Sequence, residues 1–206
     1  MKIVYGEELN SQKEQIIKNI ALNCNITFDT ARLLFYRKQD TVEKVKRFLS
    51  PSKKGFHNPA LLNGVSSAVA KIQNAKLLSQ NILIFGDYDA DGVCATTILY
   101  NCLKDYGIQS LTTYIPERNE GYGLNVETIK RIKDACGIDL LITVDCGISD
   151  YDKIDKIQNL GIDVIVTDHH EPPEILPDCI KINPKLAGQD YPFDGLCGAG
   201  VAYKLG

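Results

Sequence analysis

Short, mostly apolar runs alternate with amphipathic segments from residue 81 to residue 206. Apolar runs of this kind are typical of strands that are buried on both faces of a parallel sheet. The predicted strands are residues 82–85, 111–115, 140–144, 164–166 and 180–182. Between them, apolar residues recur at helical spacing, as at Val126, Ile129 and Ile132. This order predicts a doubly wound, mostly parallel α/β sheet over residues 81–206.

The first 80 residues carry helical patterns instead of strand patterns. Residues that commonly cap helices precede the apolar faces, and helix-breaking residues follow them. The predicted helices are one that begins after Thr27, residues 42–49 after a cap at Asp40 or Thr41, and about 65–78. We therefore expect a small helical region over residues 1–80 that precedes the sheet.

Three of the predicted strands run directly into clusters of polar side chains. These are residues 86–92 (Gly-Asp-Tyr-Asp-Ala-Asp-Gly), 145–147 (Asp-Cys-Gly) and 168–170 (Asp-His-His). Because ligands of open parallel sheets bind outside the carboxyl ends of the strands, we expect these side chains to meet. Gathered carboxylates repel one another, and a divalent cation removes that penalty. Carboxylates suit magnesium, manganese or calcium, and the histidines favour manganese over magnesium.

Each of these segments also has a simpler explanation when taken alone. Asp91 could cap the following helix, and an isolated His169 is more often a satisfied surface or core residue. An EF-hand is excluded because its twelfth position, normally Glu, is Ile98, and because a strand precedes the loop. A haloacid-dehalogenase-like nucleophile at residues 89–93 stays open, although that chemistry has no use for the histidine pair. The joint occurrence of the three segments favours a metal site.

Together these motifs resemble the DHH phosphoesterase superfamily, and within it the RecJ branch of single-strand-specific exonucleases. The resemblance extends to residues 26–59, 115–124, 182–184 and 195–204, so that it covers nearly the whole chain. It implies metal-dependent phosphodiester hydrolysis, with 5′-to-3′ exonuclease activity on single-stranded DNA in repair and recombination. In such two-metal sites the ions stabilise both the attacking and the leaving oxygen.

The resemblance also implies a role for each motif residue. Asp89, Asp91 and Asp145 would be ligands of a manganese pair or a manganese and magnesium pair, with Asp145 as the bridge. His169 would bind the second ion, and Asp87 would be a ligand or support the site. His170 would contact the scissile phosphate. Together with the bridging ligand Asp145, it is therefore a catalytic candidate.

Two further features could bind substrate phosphates. Arg118 is a candidate clamp because a guanidinium group matches phosphate bidentately; a solvated loop residue is the alternative. The backbone amides of residues 195–200, with Gly198 and Gly200 as the candidates, lead into a predicted helix and could cradle a phosphate. Plain helix initiation or tight packing against the sheet explains that glycine-rich loop equally well.

Charge and cysteine content bear on partner and compartment. Residues 1–80 hold 13 Lys and Arg against 6 Asp and Glu, whereas residues 81–206 hold 10 against 20. The basic half suits nucleic acid, although two solvated surfaces of opposite sign explain the charges alone better. Seven cysteines without a Cys-x-x-Cys pair suit a reducing compartment. With no signal peptide in residues 1–7 and no bilayer-length apolar run, we expect a cytoplasmic protein that binds single-stranded DNA and no membrane.

Two alternatives to the nuclease stay open: a small-substrate DHH phosphodiesterase acting on oligonucleotides or cyclic dinucleotides, and a non-catalytic binding module. The helical region that precedes the sheet favours the nuclease, because a small-substrate enzyme has less need for it. The intact set of aspartates and histidines argues against the binding module. RecJ proteins place another metal-binding aspartate and a second domain after the Gly-Ala-Gly-Val-Ala helix. Because the sequence stops at Gly206, we expect weak metal binding and weak or no activity from this chain alone.

Overall fold

The computed structural model describes residues 9–206, so residues 1–7, in which no signal peptide was found, lie outside the described part. The chain divides into two compact units, Met1–Phe56 and His57–Gly206. The division falls before the helix at residues 65–77, which belongs to the second unit. Within the described residues, no helix combines the length and apolar character needed to cross a bilayer.

The first unit is helical. Its helices are α1 (Ser11–Cys24), α2 (Phe28–Tyr36) and α3 (Val42–Leu49), followed by a short 3₁₀ turn at Lys53–Gly55. Thr27 caps α2 as predicted, and of the two candidates for α3 the cap is Thr41 rather than Asp40, since each threonine side chain accepts a backbone N–H of the first turn. The buried residues of the three helices form a core of their own: Ile17, Ile20, Ala31, Leu34 and Val45.

The second unit contains five helices and five strands among the described residues. The helices are α4 (Val65–Leu77), α5 (Ala90–Tyr106), α6 (Val126–Cys136), α7 (Tyr151–Gln158) and α8 (Gly198–Leu205). The strands are β1 (Ile82–Gly86), β2 (Leu111–Tyr114), β3 (Leu140–Val144), β4 (Asp163–Thr167) and β5 (Ile180–Ile182). Short 3₁₀ turns lie at Pro59–Leu61 and Arg118–Glu120.

Helices cover both faces of the sheet, which confirms the doubly wound α/β fold. In β1, Ile82 and Ile84 pack with residues of α4, α5 and α8, whereas Leu83 and Phe85 pack with residues of α6 and α7. This alternation explains why the strand reads as an uninterrupted apolar run, since each successive side chain enters a different core.

The strand order is β2-β1-β3-β4-β5, and every pairing is parallel. The order reverses between β1 and β3, and such a switch point opens a crevice at the carboxyl ends of the strands. In the ladders Gly86 lies beside Val144, and Val144 lies beside Thr167, so β1, β3 and β4 end at the same level. The residues that follow these three strands are Asp87, Asp145 and Asp168.

Candidate metal centre

The backbone holds the ends of the three strands in register beyond the sheet itself. The Asp145 N–H donates to the Thr167 carbonyl at 3.0 Å, and the Asp168 N–H donates to the Ile182 carbonyl at 3.0 Å. Asp145 then turns the chain with φ of 63°, in the left-handed region that non-glycine residues rarely adopt. The Thr143 hydroxyl supports this turn by donating to the Cys146 carbonyl at 2.8 Å.

Two groups of potential ligands meet at this edge. The side-chain ligand atoms of Asp87, Asp89 and Asp145 all lie within 4.8 Å of one another, and so do those of Asp145, His169 and His170. Asp145 belongs to both groups, and its Oδ1 atom lies 3.1 Å from Nε2 of His169. The three segments singled out in the sequence therefore converge as expected.

The carboxylates of Asp87 and Asp145 are almost fully buried, with 5% and 1% of each residue exposed. Burial, followed by the negative charges of Asp91 and Asp89, raises the pKa of Asp145 to about 7. Burial also raises the pKa of Asp87. In the described part of the chain, the Oδ1 atom of each residue is buried and accepts no hydrogen bond, although His169 Nε2 lies close to that of Asp145. Buried acceptors without donors are costly unless a cation neutralises them, so this donor set fits a divalent metal ion.

Asp89 rather than Asp91 caps α5, so the simpler explanation offered for Asp91 is wrong. The chain enters the helix at Ala90, and Asp89 therefore occupies the N-cap position. Its Oδ1 atom accepts the N–H groups of Asp91 and Gly92, both at 2.9 Å. Asp91 lies in the first turn of the helix, and its side chain is free to reach another element.

Asp91 reaches the start of α8. Its Oδ2 atom accepts the Gly198 N–H at 2.7 Å, and its Oδ1 atom accepts the Ala199 N–H at 2.8 Å. Burial raises the pKa of Asp91, but these two amides, together with the Cys197 side chain and His169, outweigh that effect and hold the pKa below its ordinary value. Nε2 of His169 lies 3.5 Å from Asp91 Oδ2.

Gly198 and Gly200, the two candidates for a phosphate cradle, thus have amides that are already hydrogen-bonded within the chain. Gly198 donates to Asp91, and Gly200 donates to the Cys197 sulfur at 3.4 Å. A phosphate would have to displace these acceptors, and we therefore do not assign Gly198 or Gly200 to substrate.

Asp168 supports the candidate site through hydrogen bonds, although no role was assigned to it from the sequence. It is 1% exposed, and its Oδ1 atom accepts the N–H groups of His169 and His170 at 2.7 and 3.1 Å. Its Oδ2 atom accepts the Ile148 N–H at 3.0 Å. The amide of Asn183, which is fully buried, donates to the His170 carbonyl at 2.9 Å. The available signal was the position of Asp168 as the first residue of the Asp-His-His motif.

Arg118 contacts the cluster of aspartates in residues 86–92 by stacking on the ring of Tyr88. Its guanidinium carbon is 5.1 Å from the ring centroid of Tyr88, which separates the first two aspartates of the cluster in sequence. Tyr122, also absent from the predicted site, lies with its hydroxyl 3.3 Å from Nδ1 of His170. The segment that carries Arg118 and Tyr122 therefore forms one side of the site.

The chain is similar to a known protein family and to characterised proteins. The family model "DHH family, N-terminal domain" matches residues 81–206. A Bacillus subtilis (strain 168) protein, "Single-stranded-DNA-specific exonuclease RecJ", is 40% identical over 200 residues, which cover 96% of this chain and 25% of that protein. The chain thus spans about a quarter of the length of this relative.

Two solved structures share the fold. "Crystal structure of exonuclease RecJ bound to manganese" has 36% identity and a TM-score of 0.63, covering 70% of this chain and 36% of that one. A manganese complex of RecJ from Thermus thermophilus has 28% identity and a TM-score of 0.70, covering 93% of this chain and 26% of that one. The match to the family model over residues 81–206 shows that the chain belongs to the DHH family, with RecJ exonucleases among its homologues.

Proposed function

We propose that this chain carries the metal centre of a phosphodiesterase that hydrolyses single-stranded DNA from its 5′ end, in DNA repair and recombination. The observation that carries this proposal is the carboxylate of Asp145, which belongs to both ligand groups at the edge of the sheet. Two ligand groups that share one residue suit a pair of divalent ions, the arrangement of two-metal phosphodiester hydrolysis. The names of the RecJ homologues support single-stranded DNA as the substrate class.

In this proposal the metal ligands are Asp87, Asp89, Asp91, Asp145 and His169. Asp145 would serve both ions because it belongs to both ligand groups, and the buried Oδ1 atoms of Asp87 and Asp145 would supply acceptors that have no hydrogen-bond donor among residues 9–206. Carboxylates suit both Mn²⁺ and Mg²⁺, whereas imidazole favours Mn²⁺. We therefore expect Mn²⁺ to bind more tightly than Mg²⁺.

The bound ions would supply Lewis acidity toward phosphate oxygens and a lowered pKa for water. The side chains would bind and orient the substrate. His170 lies within the second ligand group, but Asp168 holds its Nδ1 atom, and we assign its ring to the scissile phosphate instead of to an ion. Arg118 is assigned to a neighbouring phosphate because its guanidinium can donate bidentately.

The charge distribution supports a long anionic strand as the substrate. Residues 1–80 hold 13 Lys and Arg against 6 Asp and Glu, and such an excess attracts a phosphate backbone irrespective of sequence. We place the reaction in the cytoplasm, because all seven cysteines are free thiols, as is usual in a reducing compartment.

The proposal is tested by Mn²⁺ titration combined with hydrolysis of single-stranded oligonucleotides of graded length, labelled at the 5′ or the 3′ end. We expect two ions to bind and nucleotides to be released from the 5′ end of long single strands. Asp145→Asn should abolish both binding and release. Asp134→Asn removes the same charge from an exposed position of α6 and should change neither.

Other outcomes would select other functions. Hydrolysis confined to dinucleotides would indicate a small-substrate phosphodiesterase. Hydrolysis that persists unchanged in Asp145→Asn would not come from this centre and would favour a non-catalytic binding module. Absence of Mn²⁺ binding would overturn the metal centre itself.

A further inference from the structure

The first turn of α8 contacts two carboxylates of the proposed metal centre without using a side chain. The backbone amides of Gly198 and Ala199 both donate to Asp91. Gly198 also lies against Asp145: a Cβ atom built on Gly198 would be 2.5 Å from Cγ and 2.6 Å from Cβ of Asp145. Carbon atoms cannot approach so closely, so a side chain at position 198 would have to displace either Asp145 or the helix.

Helix α8 cannot easily be displaced. Val201 and Ala202 are fully buried in the same core cluster as α4 and α5, and Leu205 is nearly so. The helix packs along α5, which carries Asp91, and it also contacts α4, β3 and β4. Because a close-packed interior resists displacement, the conflict would be relieved mainly at Asp145.

We propose that Gly198 and Ala199 are positioning residues of the metal centre. Their amides fix the carboxylate of Asp91, and the missing side chain at position 198 lets Asp145 occupy the place shared by both ligand groups. This inference rests on the proposed metal centre and replaces the expected phosphate-binding role of the glycine-rich loop. Residues that orient metal ligands through hydrogen bonds and packing commonly change metal affinity by about 10–100-fold when they are altered.

Gly200 offers a matched control two residues further along the same turn. The three atoms nearest to a Cβ atom built on Gly200 would be Cδ2 and Cβ of Leu196, at 3.3 and 3.5 Å, and the Cys197 sulfur at 3.8 Å. These are ordinary or nearly ordinary contacts, and no carboxylate is among them. Gly198→Ala and Gly200→Ala add the same methyl group to the same helix, so any shared effect on helix propensity cancels in the comparison.

The test is isothermal titration of Mn²⁺ into the wild-type chain, Gly198→Ala and Gly200→Ala, with circular dichroism melts in the absence of metal. We expect Gly198→Ala to weaken Mn²⁺ binding by about tenfold or more while Gly200→Ala stays within about twofold of the wild type. Equal affinity and stoichiometry in Gly198→Ala and the wild type would overturn the inference but leave the metal centre intact. An equal loss in both variants would overturn it too, because the effect would then belong to α8 in general. If the wild type binds no Mn²⁺, the proposed function fails and the inference fails with it.

A measurement on the wild type decides the question if Gly198→Ala does not fold. In a ¹H–¹⁵N spectrum titrated with diamagnetic Mg²⁺, the amides of Gly198 and Ala199 should shift together with that of Asp145, because their acceptor is drawn toward the ion. The amide of Gly188, which lies in a loop with no atom within 4 Å of a built Cβ, should stay unchanged. Shifts at Asp145 with unmoved Gly198 and Ala199 amides would overturn the inference.

Discussion

Oδ1 of Asp168 lies 2.7 Å from Nδ1 of His170, and the other oxygen of the same carboxylate holds the turn that follows β3 through the Ile148 amide. One buried carboxylate therefore ties the Asp-His-His turn to the turn that carries Asp145. Because Nδ1 faces this carboxylate, Nε2 is the ring nitrogen of His170 that Asp168 leaves available for other partners. The orientation of this imidazole is thus set by a residue that is itself inaccessible to substrate.

Replacement of Asp168 should lower the free energy of unfolding, because its buried carboxylate accepts hydrogen bonds from two turns of the backbone. Asp168→Ala would leave three backbone N–H groups without their acceptor, and we expect the free energy of unfolding to fall by about 2–4 kcal/mol. Urea denaturation measures this loss. Asp134→Ala, at an exposed position of α6, should stay within about 0.5 kcal/mol of the wild type. Equal stability of the two variants would contradict the supporting role.

The raised pKa of Asp145 predicts an unusual pH dependence in the absence of metal. Burial, with the charges of Asp91 and Asp89, raises this pKa from 3.8 to about 7, so between these values the folded state binds the proton more tightly than the unfolded state. The contribution of Asp145 to the free energy of unfolding should therefore fall as the pH rises from about 4 to 7, and level off outside that window.

The pH dependence can be measured by urea denaturation at several pH values in the presence of a chelator. Asp145→Asn should flatten the decline between about pH 4 and 7. Affinity for Mn²⁺ should change in the opposite direction and rise over the same window, because the proton competes with the ion for the carboxylate. A wild-type slope that persists in Asp145→Asn would assign the dependence to another group.

The hydroxyl of Thr143 should be needed for the turn at Asp145. Thr143→Val keeps the shape of this fully buried side chain but removes the hydrogen bond to the Cys146 carbonyl. We expect a loss of about 1–2 kcal/mol in the free energy of unfolding, together with weaker Mn²⁺ binding. Thr113→Val, on an exposed position of β2, is the matched control. The idea fails if the two valine variants behave alike in calorimetry and in metal titration.

Arg118 should contribute to substrate affinity through the geometry of its guanidinium group. Arg118→Lys keeps the charge but cannot form two parallel hydrogen bonds to a phosphate, so affinity for a single-stranded oligonucleotide should fall severalfold. Arg131→Lys, at an exposed position of α6, should bind like the wild type. Fluorescence anisotropy at constant salt concentration measures both. Unchanged affinity in Arg118→Lys would leave Arg118 as a solvated loop residue.

Much of the fold could be predicted because its signals are local. The central strands β1, β3 and β4 read as apolar runs since both faces are covered, and Thr27 and Thr41 are recognisable caps. Helix α1 was not individually predicted, because only Ile17 and Ile20 are buried along its 14 residues and the apolar pattern is correspondingly weak. The convergence of the three polar segments followed from the rule that parallel strands present their carboxyl ends at one edge.

The structural role of each aspartate within the site could not be predicted in the same way. Asp89 and Asp91 follow the same strand at spacings that both suit a helix cap, and only the structure shows that Asp89 caps α5 while Asp91 reaches α8. That second contact joins residues 107 positions apart, and no local pattern encodes it. The buried acceptor role of Asp168 likewise depends on Ile148, which a different turn brings into place.

The central position of β3 has a consequence for cooperativity. This strand is paired with β1 on one side and β4 on the other, and the shared carboxylate follows directly at its end. Opening β3 itself must therefore break two ladders at once, which costs nearly as much as global unfolding. The amide protons of Leu141–Val144 should consequently be among the slowest to exchange with solvent, and bound metal should slow them further because it links all three strand ends.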